Sequence, residues 1–510
     1  MIAKVKSAGL EGLNGFVVEV EIDLANGLPA FDIVGLPDAA VKEARERVRA
    51  AVKNSGFTML AKRIIINLAP ADVKKEGSVY DLPICAAYLS ATEQIKIDAL
   101  EESMFFGELS LDGAVRPVTG ILPMVLTARA NGIRRVFVPA INAQEAAVAE
   151  GVEVYGVQNL AQLKAHFDGS APIEKTTVDL DGIFRFNAEH EPDFSDVKGQ
   201  EGVKRALEIA AAGNHNVLMI GTPGSGKTML AKRLPTILPD MTFDEALEVT
   251  KIHSVAGILP SDMPLVTRRP FRAPHHTISS VGLSGGGRIP RPGEVSLAHN
   301  GVLFLDELPE FSKSALEVLR QPLEDGDVTI ARVNATVNYP SNVMFIAAMN
   351  PCKCGYYGDP SGRCHCTQAQ VDQYMGRISG PLLDRIDLHV SVASVAYEAL
   401  EGGKQEESSA DVKARVDRAR KIQQARYKDY PKIHSNAQLT AAMIEKFCCL
   451  GEAERALMKN AFTRLGLSAR AHHGILKVAR TIADLAGSED IKVTHLAEAI
   501  QYRSLDRNAH

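Results

Sequence analysis

The sequence predicts an α/β protein whose centre is a parallel sheet with a nucleotide-binding edge. Three apolar runs support this fold class, because each one ends in polar residues suited to phosphate or Mg²⁺. The runs are residues 217–220 before a glycine-rich segment, 301–305 before Asp306 and Glu307, and 343–349 before Asn350. Runs that are apolar throughout are typical of parallel strands covered on both faces, and ligands bind beyond the carboxyl ends of such strands.

The glycine-rich segment matches the phosphate-loop pattern G-x-x-x-x-G-K-[ST]. It consists of Gly221, Thr222, Pro223, Gly224, Ser225, Gly226, Lys227 and Thr228. Its glycines let the backbone turn so that successive N–H groups and a helix N-terminus face one phosphate group. We expect Lys227 to reach the β- and γ-phosphates and Thr228 to ligate Mg²⁺. The alternative is a glycine-rich turn without a ligand, but a chance match has a probability of only roughly a few per cent at average glycine usage.

The polar residues after the other two runs complete the predicted ATP and Mg²⁺ site. Asp306 is expected to hold Mg²⁺, directly or through water, and Glu307 to act as general base on the attacking water. Asn350 is placed to orient that water. Taken singly, an Asp-Glu pair is as often a solvated strand end, and an asparagine there is usually a turn former. The phosphate loop makes the catalytic interpretation the stronger one.

Composition and charge exclude several other classes. The length of 510 residues predicts about three domains, and 45% hydrophobic with 23% charged residues is ordinary for a globular protein. A formal charge of −5 argues against a surface that binds polyanions everywhere, so any nucleic-acid site must be a local patch. We find no signal-peptide core and no apolar run near 18 residues, and therefore expect a cytoplasmic protein without membrane contact.

Composition divides the chain into four predicted regions. They are an α/β domain at 1–168, a polar linker at 169–193, the nucleotide module at 194–395, and a largely helical segment at 396–510. Strand-like patterns occupy 15–22 and 63–68, and helical spacing occupies 37–51. Residues 409–427 are predicted to form an amphipathic helix with Ser409 as N-cap. Its basic face either follows a nucleic-acid backbone or is simply solvated.

Four of the seven cysteines crowd into residues 352–366. Cys352 and Cys354 form one C-x-C pair, Cys364 and Cys366 form another, and nine residues separate the pairs. Two thiolate pairs that close one loop can supply a tetrahedral four-cysteine site, which suits structural Zn²⁺. The spacing is tighter than the usual C-x₂-C knuckle, so an iron–sulfur cluster and metal-free thiols remain open.

Three further segments carry a resemblance to a known family. Residues 269–276 read RPFRAPHH, residues 290–299 read PRPGEVSLAH, and residues 379–387 read SGPLLDRID. Together with the phosphate loop they resemble AAA+ ATPases of the magnesium-chelatase-like group, in particular the ComM/YifB family. The resemblance covers essentially the whole chain. It implies an AAA+ core with a helical C-terminal lid, ATP and Mg²⁺ as ligands, and a ring, which we expect to be a hexamer.

The resemblance also assigns roles to two arginines. Arg385 matches the arginine finger, a cation that a neighbouring subunit inserts at the γ-phosphate. Arg470, at the head of a predicted helix, matches the sensor-2 arginine of the lid that covers the nucleotide. Without the resemblance, both residues would be taken for ordinary surface or salt-bridge arginines.

Two insertions are the predicted DNA-contacting parts. Residues 279–293 form a glycine-rich, basic stretch that we expect to be a mobile loop, and residues 325–339 are predicted to form a β-hairpin. By resemblance they are the helix-2 insert and the pre-sensor-1 hairpin, which face the central pore in related DNA motors. The candidate phosphate contacts are Arg288, Arg291 and Arg332. Solvated loop charges are the alternative.

The N-terminal region resembles the Lon-protease-like, ribosomal-S5-like α+β domain through residues 69–78 and 107–118. A Lon-type protease needs a serine with a lysine to take its proton. By the motif register, the serine position falls near Val79 and the lysine position at Pro123. We therefore expect a non-proteolytic platform for DNA or for ring assembly.

The family resemblance favours an ATP-driven hexameric DNA motor. Family members are linked to branch migration during recombination and natural transformation, so branched or single-stranded DNA in the ring pore is the expected partner. The alternatives are a protein-remodelling ATPase and, less favoured, the motor subunit of a metal chelatase. Glycine and arginine in residues 285–291 suit DNA, whereas polypeptide translocators generally display an aromatic pore loop.

Overall fold

The computed structural model describes residues 2–97, 100–185, 192–287, 290–332, 335–394, 406–431 and 433–503. The chain divides into two compact units. The first comprises Met1–Asn187 and Phe243–Thr267, and the second comprises Ala188–Thr242 and Arg268–His510. Among the described residues, no helix combines the length and the apolar character that crossing a bilayer requires.

The elements are numbered in chain order. The strands are β1 (Ile2–Glu11), β2 (Asn14–Ala25), β3 (Ala30–Val34), β4 (Arg63–Ala69), β5 (Ser103–Phe105), β6 (Glu108–Leu109), β7 (Val115–Arg116), β8 (Arg135–Pro139), β9 (Glu153–Val157), β10 (Lys175–Thr176), β11 (Val217–Gly221), β12 (Phe271–Arg272), β13 (Gly285–Gly286), β14 (Arg291–Pro292), β15 (Val302–Leu305), β16 (Asp327–Arg332), β17 (Ala335–Pro340), β18 (Met344–Met349) and β19 (Leu388–Val392).

The α-helices are α1 (Ala39–Asn54), α2 (Asp81–Ala91), α3 (Ile121–Ala130), α4 (Ala143–Ala147), α5 (Leu160–Phe167), α6 (Leu180–Arg185), α7 (Glu201–Gly213), α8 (Lys227–Arg233), α9 (Phe243–Ala256), α10 (Ser280–Ser284), α11 (Glu294–Leu297), α12 (Lys313–Glu317), α13 (Pro322–Asp325), α14 (Gln368–Met375), α15 (Gly380–Leu383), α16 (Ser409–Tyr427), α17 (Ala441–Phe447), α18 (Glu452–Leu465), α19 (Ala469–Leu485) and α20 (Val493–Gln501). Short 3₁₀ turns occupy Leu100–Glu102, Ala140–Asn142, Phe194–Asp196, Leu234–Ile237, Leu308–Glu310 and Asn436–Gln438.

The first unit is built on an eight-stranded mixed sheet in the order β10-β9-β8-β5-β1-β2-β4-β3. The predicted strands at 15–22 and 63–68 and the predicted helix at 37–51 are confirmed as β2, β4 and α1, within a few residues at each end. In β2, Val18 and Val20 alternate with more exposed residues, because one face of the strand packs into the core. Part of the predicted polar linker joins this sheet, since β10 pairs with β9.

The residues near the predicted protease positions have other partners. Val79 is buried, and the Ser78 hydroxyl donates to Glu108. The buried Lys75 donates its ammonium protons to the backbone carbonyls of Val73, at 2.7 Å, and Pro70. These contacts occupy Ser78 and Lys75 within the domain. The Lon-like fold and the absence of protease activity both stay predictions.

A segment from within the predicted nucleotide module belongs to the first unit instead. Residues Phe243–Thr267 include α9, which packs against α3. The backbone N–H of Gly120 donates to the carbonyl of Ser254 at 3.1 Å, and the Ser254 hydroxyl donates to Glu145. Glu145 also accepts the Leu122 N–H at 3.0 Å. The unit boundary therefore differs from the predicted 194–395 module, because packing rather than chain order decides which unit a helix joins.

The second unit contains the predicted parallel sheet, in the order β12-β15-β18-β11-β19. Every neighbouring pair is parallel, and all six residues of β18 are buried. Helices α16–α20 share one hydrophobic core with this sheet, through buried residues such as Val416 and Ile475. The C-terminal segment is helical, as predicted, but it is continuous with the nucleotide module in its packing.

The basic face of α16 is largely occupied within the second unit. Helix α16 spans Ser409–Tyr427 as predicted, although Ser408 rather than Ser409 supplies the cap. Arg415 pairs with Glu208 and Glu407, and Arg426 contacts Asp484 at 2.9 Å. These arginines join α16 to neighbouring elements, so the expectation of a backbone-following or solvated basic face is wrong for them.

Candidate nucleotide-binding and metal sites

The predicted phosphate loop lies between β11 and α8. Gly224 and Gly226 have φ values of 76° and 91°, in the left-handed region that glycine adopts without strain. Gly226 is the N-cap residue of α8, so the loop curls back over the helix N-terminus. The hydroxyl of Ser225 is buried and has no hydrogen-bond partner in the part of the chain that the structure describes. A buried donor of this kind fits a loop that is completed by an anionic ligand.

Lys227 is drawn into the loop. Its side chain is largely buried, and its ammonium group donates to the carbonyls of Gly221 at 2.7 Å and Thr222 at 2.9 Å. It also donates to the side-chain oxygen of Asn350 at 3.2 Å. Burial lowers the pKa of Lys227, while the negative charges of Asp306 and Glu307 oppose that shift. An ammonium with this set of acceptors is well placed to exchange them for phosphate oxygens.

The side chains of Thr228 and Asp306 meet across the ends of α8 and β15. The Thr228 hydroxyl donates to a carboxylate oxygen of Asp306 at 2.6 Å. Adjacent hydroxyl and carboxylate oxygens are ligands that Mg²⁺ prefers, so these two residues could hold the ion that accompanies a nucleotide.

Glu307 follows with φ of 54°, a left-handed conformation that is uncommon outside glycine. Such strained residues concentrate at functional sites. The Nδ1 atom of His276 lies 3.4 Å from a Glu307 carboxylate oxygen, and the His276 ring lies against the His275 ring in a tilted arrangement, with centroids 4.1 Å apart. The sequence alone assigns no role to His276. His276 follows the short strand β12, which neighbours β15 in the sheet. Because β15 leads into Asp306 and Glu307, this position was the one signal that could have indicated a contact with Glu307.

Arg385 and Arg470 meet on a residue that sequence analysis missed. Both guanidinium groups pair with the carboxylate of Glu324, which belongs to α13. Burial works against ionisation of Glu324, but the two arginines outweigh it and hold its pKa below the ordinary value. Arg385 also donates to the carbonyl of Pro381 at 2.6 Å. The predicted finger and sensor residues are thus gathered at one point, and their roles stay predictions.

The four cysteines of residues 352–366 converge as predicted. Their sulfur atoms all lie within 4.8 Å of one another, with Cys352 to Cys354 at 3.3 Å, Cys354 to Cys364 at 3.6 Å and Cys352 to Cys364 at 3.8 Å. A tetrahedral zinc ion with Zn–S bonds of about 2.3 Å requires sulfur separations of about 3.8 Å. These cysteines could therefore hold a zinc ion with small adjustments.

The candidate DNA contacts are only partly described. Arg288 lies outside the described residues, and so does the side chain of Arg332, whose backbone ends β16. Arg291 is exposed in β14. The predicted hairpin at 325–339 is confirmed as β16 and β17, which pair from Asp327 with Pro340 to Arg332 with Ala335.

The expectation of a mobile loop at 279–293 is wrong for much of that segment. Ser279 caps the short helix α10, in which Leu283 is fully buried. Beyond it, β13 and β14 pair in antiparallel fashion. The buried side chain of Leu283 anchors this segment in the core. The expectation of mobility rested on the glycine content and overlooked this apolar residue.

The chain matches families of magnesium-chelatase subunits in three stretches. Residues 193–400 match the family described as magnesium chelatase, subunit ChlI, residues 20–142 match subunit ChlI of Mg-chelatase, and residues 406–503 match the C-terminal part of subunit ChlI. A family match over residues 193–400 agrees with the phosphate loop and the parallel sheet found there.

Individual relatives match nearly the whole chain. The chain is 43% identical to competence protein ComM of Haemophilus influenzae, over 99% of this chain and 98% of that protein. It is 44% identical to the uncharacterized protein YifB of Escherichia coli, over 97% of this chain and 96% of that protein. A magnesium-chelatase 67 kDa subunit of Heliobacterium mobile is 28% identical over 38% of this chain and 30% of that protein. The chain belongs to the magnesium-chelatase-like ComM/YifB family.

Proposed function

We propose that the protein is an ATP-driven hexameric motor that moves branched DNA, as a branch-migration helicase in recombination or natural transformation. The observation that carries this proposal is the assembled nucleotide site of Lys227, Thr228, Asp306 and Glu307, in a chain similar throughout to a competence protein. The similarity to ComM, which carries competence in its name, favours DNA as the substrate.

Hydrolysis is assigned to this site. Lys227 binds the β- and γ-phosphates, and the unpartnered Ser225 hydroxyl is a further donor within the loop. Thr228 and Asp306 hold Mg²⁺, which neutralises phosphate charge when bound. Glu307 takes a proton from the attacking water, and His276 contacts the carboxylate that does so. Asn350 lies at the end of β18, the strand next to β11, and orients either the attacking water or the ammonium group of Lys227.

The arginines provide the argument for a ring. In one chain, Arg385 and Arg470 share Glu324 as their partner. We infer that Arg385 is presented to the nucleotide of a neighbouring subunit, where its cation would stabilise the charge of the transferring phosphoryl group. A residue that acts on a neighbour's nucleotide requires an assembly, and the hexamer is the form that the family resemblance implies.

DNA contact is assigned to the two insertions. The hairpin of β16 and β17 begins at Asp327, three residues after Glu324, so it is directly connected to the residue that pairs with both arginines. Arg291 is exposed in the other insertion. We propose that Arg291, Arg288 and Arg332 contact DNA phosphates and that hydrolysis moves these segments.

The first test is ATP-dependent movement of a four-way DNA junction. The protein is expected to convert the junction with ATP, and Glu307→Gln is expected to abolish conversion. Arg291→Ala is expected to weaken DNA binding uniformly across sequences and to reduce its salt dependence by about one phosphate contact. Arg455→Ala, which removes an exposed arginine of α18, is the matched control and should leave binding unchanged.

Two outcomes would contradict the motor. If DNA neither stimulates ATP hydrolysis nor is moved, a protein-remodelling ATPase takes its place. If Arg291→Ala and Arg455→Ala weaken DNA binding equally, the insertion is not the contact and a diffuse charge effect explains the binding.

The cysteine centre is proposed to hold structural Zn²⁺. Protein purified without chelator is expected to contain about one equivalent of zinc per chain by elemental analysis, because four thiolates saturate a tetrahedral site. Cys364→Ser should lose most of it, whereas Cys449→Ser, an exposed thiol outside the cluster, should retain it. Less than about half an equivalent of any metal in the unmodified protein would exclude the site. If elemental analysis finds iron together with sulfide, the cysteines hold an iron–sulfur cluster instead of zinc.

A further inference from the structure

The segment that carries the cysteine centre approaches the phosphate loop at Gly355. A Cβ atom on Gly355 would lie 2.7 Å from the Cδ and Cγ atoms of Pro223 and 3.9 Å from the Cγ atom of Asn350. Real Cβ atoms do not approach other atoms as closely as 2.7 Å, so the Gly355 backbone can pack against the Pro223 ring because residue 355 has no side chain. Gly355 also has φ of 90°, which favours glycine independently.

A second connection runs through the chain itself. Asn350, which accepts a hydrogen bond from Lys227, precedes Cys352 by two residues. Cys352 is fully buried, and its carbonyl accepts the N–H of Gly355 at 3.0 Å. The turn formed by residues 352–355 therefore connects one pair of cysteines, the end of β18 and the surface against Pro223 within a few residues.

We propose that the four-cysteine centre is a buttress of the phosphate loop, with Gly355 as its positioning residue, so that metal occupancy sets nucleotide affinity. This inference rests on the metal and nucleotide sites proposed above. Metal binding fixes Cys352 and Cys354 on one side of the loop and Cys364 and Cys366 on the other. Without the metal, the intervening segment regains conformational entropy, aided by further glycines at Gly358 and Gly362. Gly355 then moves away from Pro223. The phosphate loop loses the packing contact that keeps its backbone N–H groups directed at the phosphates.

Metal removal tests the buttress directly. Binding of a fluorescent ATP analogue is measured, in the absence of DNA, with the full-length protein as purified, after stripping with a chelator, and after zinc is restored. We expect stripping to weaken binding at least about tenfold and zinc to restore it. Equal affinity of the loaded and stripped forms would overturn the proposal.

Two glycine variants separate contact from strain. Gly355→Ala and Gly358→Ala both force alanine into a left-handed conformation, with φ of 90° and 77°, but nothing lies within 4 Å of a Cβ added to Gly358. Both variants keep all four cysteines. We expect Gly355→Ala alone to raise the dissociation constant and the KM for ATP by about tenfold, with little change in kcat, at unchanged zinc content.

Other results with the glycine variants would refute the buttress. Equal affinities of the two variants at full zinc content would show that the contact with Pro223 is irrelevant. If Gly355→Ala loses its zinc, the proposal is judged on the unmodified protein alone, by its nucleotide affinity after zinc is stripped and after zinc is restored. These readouts do not involve DNA, so a chain that binds nucleotide in a metal-dependent way but moves no junction refutes the motor and leaves the buttress intact.

Discussion

Arg385→Ala is expected to lower ATP hydrolysis by about 10³-fold, because an arginine finger supplies transition-state stabilisation of that order. Nucleotide binding should change much less, since Arg385 interacts with Glu324 and Pro381 within its own chain. Steady-state hydrolysis and binding of a fluorescent ATP analogue measure the two effects separately. A variant that hydrolyses ATP within about tenfold of the unmodified protein would exclude the finger role.

Loss of the ion pair with Glu324 is the competing explanation for any effect of Arg385→Ala. Glu324→Gln removes the ion pair with Arg385 and also the one with Arg470, so its structural cost is at least that of Arg385→Ala. We expect Glu324→Gln to unfold at no higher a temperature than Arg385→Ala but to retain most of its hydrolysis. If the two variants lose hydrolysis equally, the ion pair rather than the guanidinium at the phosphate accounts for the result.

Mixed rings test whether Arg385 acts on a neighbouring subunit. Arg385→Ala subunits keep Glu307, and Glu307→Gln subunits keep Arg385. A mixture of the two inactive variants should regain a measurable fraction of activity, because some interfaces then combine an intact glutamate with an intact arginine. No recovery, in mixtures shown by light scattering to have assembled together, would contradict action between subunits.

Glu307→Gln is expected to bind ATP normally and to lose hydrolysis by about 10²- to 10⁴-fold, the range attributed to general-base catalysis. The substitution keeps the shape of the side chain and removes only its basicity. Single-turnover hydrolysis measures the loss, and sedimentation with ATP should show an assembly that persists because its nucleotide is not consumed.

Glu310→Gln is the matched control for this prediction. Glu310 lies three residues further along and pairs with Arg377 at 3.1 Å, so it carries the same charge nearby but has a different partner. It should hydrolyse ATP at nearly the normal rate. Similar losses in the two variants would mean that local charge, rather than a base at position 307, explains the effect.

The candidate nucleotide site could be predicted from the sequence to a large extent. Each of its parts is a short contiguous pattern: a strand followed by a loop in which Lys227 and Thr228 are adjacent, and a strand that ends in Asp306 and Glu307. The sequence does not show the order of the strands in the sheet. This order is not needed to predict the site, because parallel strands bring all their carboxyl ends to one edge of the sheet. The hydrogen bonds from Thr228 to Asp306 and from Lys227 to Asn350 follow from that rule.

The cysteine centre was predictable for a similar reason. Cys352 and Cys354 lie two residues apart, so they approach each other in any tight turn, and nine residues are enough to return the chain to them. What this spacing could not indicate was the neighbour of the loop. The contact of Gly355 with Pro223 joins residues more than a hundred positions apart, and no local pattern records it.

By itself, the sequence determined the α/β fold class, the phosphate loop, the two carboxylates, the hairpin and the four cysteines, because periodicity and short spacings fix these features locally. Only the tertiary structure decided that Arg385 and Arg470 share Glu324, that His276 contacts Glu307, and that the Phe243–Thr267 segment packs with the first unit. The physical reason is that an exposed or basic side chain has no intrinsic partner. Its role depends on which distant carboxylate or backbone the packed core brings within reach.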